Sequence, residues 1–315
     1  MSPIINIKNL VKRYKKAEKN AVDDISFTVN KGEFFALLGP NGAGKTTTIS
    51  ILITTLAKTS GEITIAGFDL DTRPSQIRQS IGVIFQSPSL DMNLTAEENI
   101  RFHCILYGLY NYHITYSMMS DGYKKRLHAL SDVLGLNDEM FKPVKTFSGG
   151  MKRKLEIIRS LMHKPTVLFL DEPTSGLDPL SRRNLWEYLT QVRKQDETTI
   201  FLTTHYLEEA EGADNICIIK DGKIAAFGKP ADIKRDLTQE YLLVDSIQRQ
   251  SLDKELKNHK YHFTNTTPVK IFLEKKSAQQ VIKTIETPLS VLKIHNPTLE
   301  EAYVDIIDQS EKEEI

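Results

Sequence analysis

Apolar residues in the larger, amino-terminal part of the chain follow two patterns that predict strands. Residues 4–11 and 25–29 alternate between apolar and polar positions, which predicts two strands of an antiparallel edge sheet with one buried face. Residues 34–38, 166–170 and 199–203 are dominated by consecutive apolar residues, which is typical of strands buried on both faces. Further strands are predicted at 63–65, 82–85, 215–220 and 223–227.

Between these strands, apolar residues recur at the spacing of helices. Residues 90–145 keep this spacing over a long stretch and predict a helical insertion, which an irregular loop rich in Tyr, Ser and Met interrupts near 110–123. The tyrosines of that loop are predicted to pack against the protein rather than to stack on nucleic-acid bases. The other predicted helices are 46–56, 152–162, 180–194 and 207–212.

The alternation of strands and helices indicates an α/β domain over residues 1–229, with a helical subdomain at about 90–160. Residues 230–315 alternate short strand and helix patterns instead, which predicts a small α+β domain after the first. The predicted elements of this appendage are 241–247, 251–258, 269–273, 277–285, 291–294 and 298–307.

Composition and charge disfavour several classes of protein. Hydrophobic residues make up 40% of the 315, which favours a globular chain over a disordered one. Lys and Arg together number 41, as do Asp and Glu, so the basic excess of a nucleic-acid-binding protein is missing and no such partner is expected. Cys104 and Cys217 suggest no disulfide framework or metal cluster and are predicted to be core residues. No signal peptide or membrane span is predicted, so another chain would have to supply any pore.

A glycine-rich loop joins the strand at 34–38 to the helix that follows. It matches G-x-x-x-x-G-K-[ST] between a buried strand and a helix, the context that separates this motif from an ordinary glycine turn. Its backbone N–H groups and the helix N-terminus would face phosphate oxygens, with Lys45 at the β- and γ-phosphates and Thr46 supplying an oxygen to Mg²⁺. The predicted nucleotide-binding residues of this P-loop are Gly39, Pro40, Asn41, Gly42, Ala43, Gly44, Lys45, Thr46 and Thr47.

Two adjacent carboxylates end the buried strand at 166–170. Asp171 would be costly there unless it met a cation, and Mg²⁺ is the expected one. Glu172 would point elsewhere and can polarise a water molecule that attacks the γ-phosphate. The alternative, a solvated surface pair, fits poorly after four apolar strand residues.

A second anion site is suggested by Ser148, Gly149 and Gly150, which precede a basic helix. A serine hydroxyl, two glycine amides and a helix N-terminus together favour phosphate binding. The alternative is a simple helix cap. A second phosphate site in a chain with one P-loop makes sense if it serves the nucleotide of a partner.

The order and spacing of these motifs resemble the nucleotide-binding subunit of an ATP-binding cassette (ABC) transporter. Residues 147–152 resemble the signature motif, 171–178 the Walker B and D-loop run, and Gln86 and His205 the Q-loop glutamine and switch histidine. The resemblance covers about residues 4–229. Phe147 and Met151 replace the commoner leucine and glutamine, a variant that resembles the antibiotic-resistance (daunorubicin-resistance-like) exporters, whose ATPase pairs with a separate permease. Residues 296–303 resemble that subfamily's carboxy-terminal appendage.

The resemblance implies a role for each matching residue. Ser148, Gly149 and Gly150 would bind the γ-phosphate held by the other protomer, and Asp178 would couple the two sites. Gln86 would sense the γ-phosphate and Mg²⁺ and relay their presence to the permease. His205 would contact the γ-phosphate, although a lone histidine can be structural, and Tyr14 would stack on adenine, although it can also be a surface residue. The catalytic set is Glu172, His205, Gln86 and Lys45, and the Mg²⁺ ligands are Thr46, Gln86 and Asp171.

The expected protein is therefore an ATPase with a P-loop NTPase core, an antiparallel edge sheet and a helical insertion. Two copies, or two paired ATPases, would hold two ATP molecules between them and drive export through a separate integral-membrane permease, which would attach them to the cytoplasmic face of the membrane. The permease would contact a groove around residues 86–99 and the helical insertion. One alternative is an ABC protein acting on DNA or ribosomes, which would need a coiled-coil insertion, zinc cysteines or a second cassette. Another is an ATP sensor without turnover, which the intact Asp171, Glu172 and His205 argue against.

Overall fold

The chain forms two compact units in the computed structural model, Met1–Phe227 and Gly228–Ile315. The first, the amino-terminal unit, contains the predicted P-loop and the helical insertion. The second, the carboxy-terminal unit, is a small domain with a core of its own. The structure describes residues 3–85, 89–174, 177–237, 240–273, 276–295 and 298–312.

The strands of the amino-terminal unit form two sheets. In chain order the strands are β1 (Ile5–Lys12), β2 (Val22–Val29), β3 (Phe34–Leu38), β4 (Ser60–Ile65), β5 (Phe68–Asp69), β6 (Ile81–Ile84), β7 (Val167–Asp171), β8 (Thr199–Thr203), β9 (Asn215–Lys220) and β10 (Lys223–Gly228). Over its described residues, the antiparallel sheet has the order β2-β1-β4-β5 and the second sheet the order β10-β9-β3-β8-β7-β6. The predicted edge sheet thus includes two strands beyond the two that alternation indicated.

The second sheet brings the predicted motifs to one edge. β3 pairs in parallel with β8, and β8 pairs in parallel with β7, so their carboxyl ends meet at the same edge. The three strands are almost wholly buried, and the ring of Phe201 lies 5.1 Å from that of Phe35 and 5.2 Å from that of Phe169, centroid to centroid. Because this apolar layer fixes the strands, the loops after them start from fixed positions.

The helices of the amino-terminal unit begin and end where local signals place them. The helix that begins at residue 96 starts with a capping box between Thr95 and Glu98, in which each side chain accepts from the other's backbone N–H. The helix predicted to reach residue 56 ends at Leu52, since Thr54 has a φ of 65° that a helix cannot accommodate. The helices are α1 (Lys45–Leu52), α2 (Pro74–Ser80), α3 (Ala96–Leu106), α4 (Asp121–Val133), α5 (Gly149–Leu161), α6 (Pro179–Asp196) and α7 (Leu207–Ala210), with single 3₁₀ turns at Tyr116–Met118, Asn137–Glu139 and Val144–Thr146.

A buried ion pair holds the helical insertion together. Arg101 Nε lies 3.1 Å from Glu97 Oε1, and the same guanidinium donates to the carbonyls of His113 and Ile114, which fixes the irregular loop before α4. Tyr123 donates to Glu97 Oε1 over 3.0 Å. Burial raises the pKa of Glu97, and the charge of Arg101 opposes that shift. Removing one member of such a pair typically costs about 3–5 kcal/mol.

Both cysteines lie in the core of the amino-terminal unit, as their surroundings in the sequence predict. Cys104 is in α3 and Cys217 in β9, and both are fully buried. Burial raises the pKa of each thiol to about 12. Separately, no helix among the described residues combines the length and the apolar character needed to cross a membrane.

The carboxy-terminal unit is an α+β domain built on an antiparallel sheet. Its described strands have the order β12-β13-β11-β14, and α9 and α10 cover the face that carries Leu242 and Val244. The sequence pattern missed α8, which packs on α11, and the two-residue β12. The elements are α8 (Pro230–Leu237), β11 (Tyr241–Asp245), α9 (Arg249–Asn258), β12 (Phe263–Thr264), β13 (Val269–Phe272), α10 (Ala278–Ile282), β14 (Val291–His295) and α11 (Leu299–Lys312).

Candidate active site

The loop after β3 folds around the ammonium group of Lys45. Lys45 Nζ donates to the carbonyl of Gly39 over 2.6 Å and to that of Pro40 over 3.0 Å, and the side chain is only 8% exposed. Burial lowers the pKa of Lys45, whereas the carboxylates of Glu172 and Asp171 oppose that shift. The P-loop lysine therefore lies close to both predicted carboxylates, at the edge where β3 and β7 end.

Glycine is required in this loop by its backbone path. Gly44, which precedes α1, has a φ of 106°, and a Cβ atom there would lie 2.4 Å from the carbonyl oxygen of Ala21. Gly42 has a φ of 83° but faces open space. The loop thus takes a left-handed path at Gly42 and Gly44, and at Gly44 it also approaches another backbone segment too closely for any side chain.

Replacing Gly44 with alanine should therefore destabilise the fold more than replacing Gly42 with alanine. Both substitutions carry the strain of a left-handed alanine, about 1–2 kcal/mol, but only the Gly44 change adds a clash with backbone. The free energy of unfolding, measured by urea denaturation without nucleotide, checks this. Equal losses for the two variants would show that the contact with Ala21 relaxes without cost.

The two carboxylates after β7 point in different directions. Asp171 Oδ1 accepts a hydrogen bond from Thr203 Oγ1 on the neighbouring strand β8. Glu172 has a φ of 47°, which is uncommon for a residue with a side chain, and its N–H donates to the Thr203 carbonyl over 2.9 Å. Glu172 Oε1 lies 3.0 Å from His205 Nδ1, which donates to the carboxylate. The structure thus brings Glu172 and His205 together and leaves Asp171 beside the strand edge.

The buried carboxylate of Glu209 holds the loop that carries His205 in place. Glu209 Oε2 accepts from Thr204 Oγ1 over 2.7 Å, and Glu209 Oε1 accepts from Thr174 Oγ1. Thr204 Oγ1 in turn accepts from the N–H of Tyr206, 2.9 Å away. These bonds hold the residues on either side of His205, whose own side chain is 47% exposed. The ring can therefore contact a ligand while its backbone stays in place.

Tyr14 lies against the P-loop helix and remains accessible. Its hydroxyl is 3.3 Å from Thr47 Oγ1, and the ammonium of Lys12 lies 5.3 Å from the centre of its ring. The side chain is 45% exposed. A half-exposed aromatic ring that is tied to the first turn of α1 is suitably placed to stack on a base whose phosphates reach the P-loop.

The signature-like residues face solvent at the start of a long helix. Ser148 caps α5 by accepting from the N–H of Met151 over 3.3 Å, so Gly149 and Gly150 lie in the first helical turn rather than before the helix. Phe147 is buried, whereas Ser148 and Gly149 are exposed. The same residues thus act as a helix cap and present an anion-binding N-terminus outward.

Asp178 has a comparable place at the start of α6. Its Oδ1 accepts from the N–H of Ser181 over 3.0 Å, and hydrogen bonds from Ser181 lower the pKa of Asp178. The side chain is exposed. Asp178 therefore stays charged and lies at the surface directly before α6, where a second molecule can reach it.

The predicted Mg²⁺ ligands offer the hard oxygen atoms that this cation prefers. Thr46 is exposed in the first turn of α1, next to Lys45, on which the charge of Asp171 acts. In the part of the chain that the structure describes, no group of three His, Cys, Asp or Glu residues could hold a metal. Mg²⁺ usually completes its shell with phosphate oxygens and water, so Thr46 and Asp171 fit it in the presence of a nucleotide. Gln86 lies outside the described residues.

A cavity of about 290 Å³ opens next to the predicted Q-loop. Phe85 and Ser89, which flank residues 86–88, contribute to its lining together with His103 of α3 and Tyr107 at the end of that helix. Burial lowers the pKa of His103 to about 3, so this ring is neutral near pH 7. Of its lining residues, Ser89 falls within residues 86–99, where the sequence predicts a groove for another chain.

Sequence reasoning missed three buried charged residues that support the site: Arg153, Glu156 and Glu209. Two of them lie on α5, which the sequence indicates only as a basic helix. Their signal is present, since Arg153 and Glu156 fall among apolar positions that helical spacing places inside the protein. A charged residue at such a position indicates a buried partner.

Comparison with known proteins gives a consistent set of relatives. A protein-family profile described as ABC transporter matches residues 22–175. The chain is 40% identical over 231 residues to the linearmycin resistance ATP-binding protein LnrL of Bacillus subtilis (strain 168), covering 73% of this chain and 70% of that one. It is 39% identical over 235 residues to the doxorubicin resistance ATP-binding protein DrrA of Mycobacterium tuberculosis (strain CDC 1551 / Oshkosh), covering 74% and 67%.

A third relative is longer than this chain. The probable multidrug ABC transporter ATP-binding protein YbhF of Escherichia coli (strain K12) is 38% identical over 231 residues, which are 73% of this chain but only 38% of that protein. The chain therefore spans well under half of that relative.

Solved structures share the fold. One described as the ATP-binding subunit of an ABC transporter is 32% identical, with a TM-score of 0.65, and covers 74% of this chain and 92% of its own. A dimeric ATP-binding cassette in a post-hydrolysis state, bound to ADP and Pi, is 27% identical with a TM-score of 0.64, covering 71% and 98%. The fold class predicted from the sequence is confirmed by these neighbours.

Proposed function

Because this chain belongs to the ABC transporter family of ATP-binding cassette ATPases, we propose that it hydrolyses ATP as the energy-supplying subunit of an exporter. The observation that carries this proposal is the convergence of Lys45, Asp171 and the Glu172–His205 pair at one sheet edge. Phosphate binding and water activation need these groups within reach of one another. A sensor without turnover would not need the Glu172–His205 contact.

Some residues of one site bind the nucleotide, and others take part in its hydrolysis. The loop amides and Lys45 bind the β- and γ-phosphates, and the ring of Tyr14 stacks on adenine. Mg²⁺, when held by Thr46, Asp171 and Gln86, neutralises phosphate charge. Glu172 accepts a proton from the attacking water, and His205 orients its carboxylate and contacts the γ-phosphate.

A second copy, or a paired ATPase, completes each site. Ser148 and Gly149 are exposed at the N-terminus of α5, which supports their binding a phosphate from outside their own chain. Asp178 lies exposed at the start of α6, where it can contact the same partner. The solved dimeric relative bound to ADP and Pi is consistent with this arrangement. Two ATP molecules would be held between the two cassettes.

The transported substrate passes through a separate integral-membrane permease in this proposal. Relatives named for linearmycin and doxorubicin resistance favour a small toxic molecule as cargo. The cavity beside Phe85, Ser89 and His103 is the proposed contact for the permease, which would keep this chain at the cytoplasmic face of the membrane.

The test is to capture partners with the Glu172→Gln protein, which should hold the closed pair in ATP. Tagged protein is added to native membranes with ATP, or with ADP as the matched control, and bound chains are identified by mass spectrometry. A polytopic membrane protein enriched with ATP supports the proposal. Ribosomal or DNA-repair proteins without any membrane partner would instead favour an ABC ATPase with no role in transport.

A further inference from the structure

Three charged side chains lie in a row along the inner face of α5. Arg153, Glu156 and Arg159 follow one another at intervals of three residues, and the first two are 4% and 1% exposed. Glu156 lies between the arginines, with Oε2 3.2 Å from Arg153 Nη1 and Oε1 3.7 Å from Arg159 Nη2. Burying three charges is unfavourable compared with apolar residues of similar size, so their polar contacts need an explanation.

Arg153 binds the backbone of the two carboxylate residues after β7 and of the residue that follows them. Its Nη2 donates to the carbonyls of Glu172, 3.0 Å away, and Asp171, 3.3 Å away. Its Nε donates to the Pro173 carbonyl over 2.7 Å, and its Nη1 donates to the carbonyl of Phe85, directly before Gln86. Only a planar guanidinium with five N–H groups can reach all of these acceptors together.

The other two members of the row, Glu156 and Arg159, bind Ser89, which directly follows residues 86–88. Glu156 Oε1 accepts from the N–H of Ser89 over 2.9 Å. Arg159 donates to the carbonyl of Ser89 over 2.6 Å and to its Oγ over 2.7 Å. Both flanks of residues 86–88 are thus attached to α5.

The same helix begins at the residues proposed to bind the partner's nucleotide. Ser148 is five positions before Arg153, which at the rise of an α-helix is about 7.5 Å along its axis. A helix transmits displacement along its axis with little deformation, so a shift of its N-terminus also shifts Arg153. Because Arg153 donates to the carbonyls of Asp171 and Glu172, such a shift would also move the backbone of these two residues.

We propose that Arg153, held in place by Glu156, is a positioning residue that links the two nucleotide sites of the pair. It sets the backbone of Glu172 and the flanks of the Gln86 segment according to the position of α5, and α5 binds the nucleotide of the other cassette. Hydrolysis at one site therefore depends on occupancy of the other. This inference rests on the proposed function and adds the side chain that connects the sites.

The test compares Arg153→Lys with Arg101→Lys in the full-length protein. Arg101 is the matched control, because it too is a buried arginine of the helical insertion that pairs with a glutamate and donates to two backbone carbonyls. Among the residues that the structure describes, its hydrogen-bond partners include none of the site residues. Thermal unfolding is measured for both variants, together with kcat and KM for ATP. We expect kcat to fall about tenfold in Arg153→Lys with KM for ATP within about twofold of the wild type, and kcat to stay near the wild-type value in Arg101→Lys.

Glu156→Gln is an independent variant that tests the proposal even if Arg153→Lys fails to fold. It should lower kcat to a similar extent, and the double variant should be no slower than the single ones, since the two residues act as a unit. Loss of kcat in Arg153→Lys that only matches Arg101→Lys, or additive losses in the double variant, would overturn the inference and leave the ATPase proposal intact. A wild-type protein without ATP hydrolysis would overturn both.

Discussion

Replacing Glu172 with glutamine is expected to reduce steady-state ATP turnover by about a hundredfold or more while ATP binding persists. The glutamine amide keeps the size of the side chain and can still contact His205, but it cannot accept a proton from water. The binding groups of the P-loop are untouched by the change. The measurement is kcat for phosphate release together with equilibrium binding of ATP.

Glu208→Gln is the matched control for this variant. Glu208 is an exposed carboxylate three residues after His205, and its change to the amide should leave turnover near the wild-type value. Near-normal turnover in Glu172→Gln would remove Glu172 from the mechanism. Loss of both turnover and ATP binding would instead mean that the change disturbs the strained turn after β7.

Replacing Lys45 with methionine should weaken ATP binding by about tenfold to a hundredfold, since a charged hydrogen-bond donor to phosphate contributes about 1.5–3 kcal/mol. Methionine is close to lysine in length and fills the buried volume that the lysine stem occupies. The loss should therefore come from the missing charge. Equilibrium binding of ATP measures it.

Two observations separate this effect from a folding defect. The free energy of unfolding without nucleotide should change little, because removing a buried charge offsets the loss of the hydrogen bonds from the ammonium to the carbonyls of Gly39 and Pro40. Lys223→Met, at an exposed lysine outside the loop, should leave ATP binding unchanged. Unaltered binding in Lys45→Met would show that the loop holds phosphate by its amides alone.

The sequence predicts the structure best where the residues of a chemical motif directly follow a strand pattern. The runs at 34–38 and 199–203 are strands with the predicted bounds, because consecutive apolar residues between turns have few other stable conformations. The loop after the first of these strands leads to Lys45, and His205 lies two residues after the end of the second. The contact between Glu172 and His205 could be anticipated only as proximity at one sheet edge, since its geometry depends on the positive φ of Glu172.

Other parts of the molecule depend on contacts between distant segments. Periodicity gave no sign of α2, whose buried face is limited to Ile77, or of α8. At Arg153 the sequence indicates only a basic helix, because the carbonyl groups that this side chain binds lie 18 to 68 residues away in sequence. Every residue has a backbone carbonyl, so the sequence does not indicate which carbonyls a side chain binds. A side chain with this role can be recognised only once the fold is known.

The two deeply buried thiols make the chain a reporter of its own local opening. A thiol reacts as the thiolate, so Cys104 and Cys217 should be inert to alkylating reagents in the native state at neutral pH. Labelling then requires the surrounding structure to separate, and its rate reports how often that happens. Cys104 reports on the helical insertion and Cys217 on the parallel sheet. Alkylation followed by peptide mass spectrometry would therefore show which of these two regions nucleotide makes more rigid.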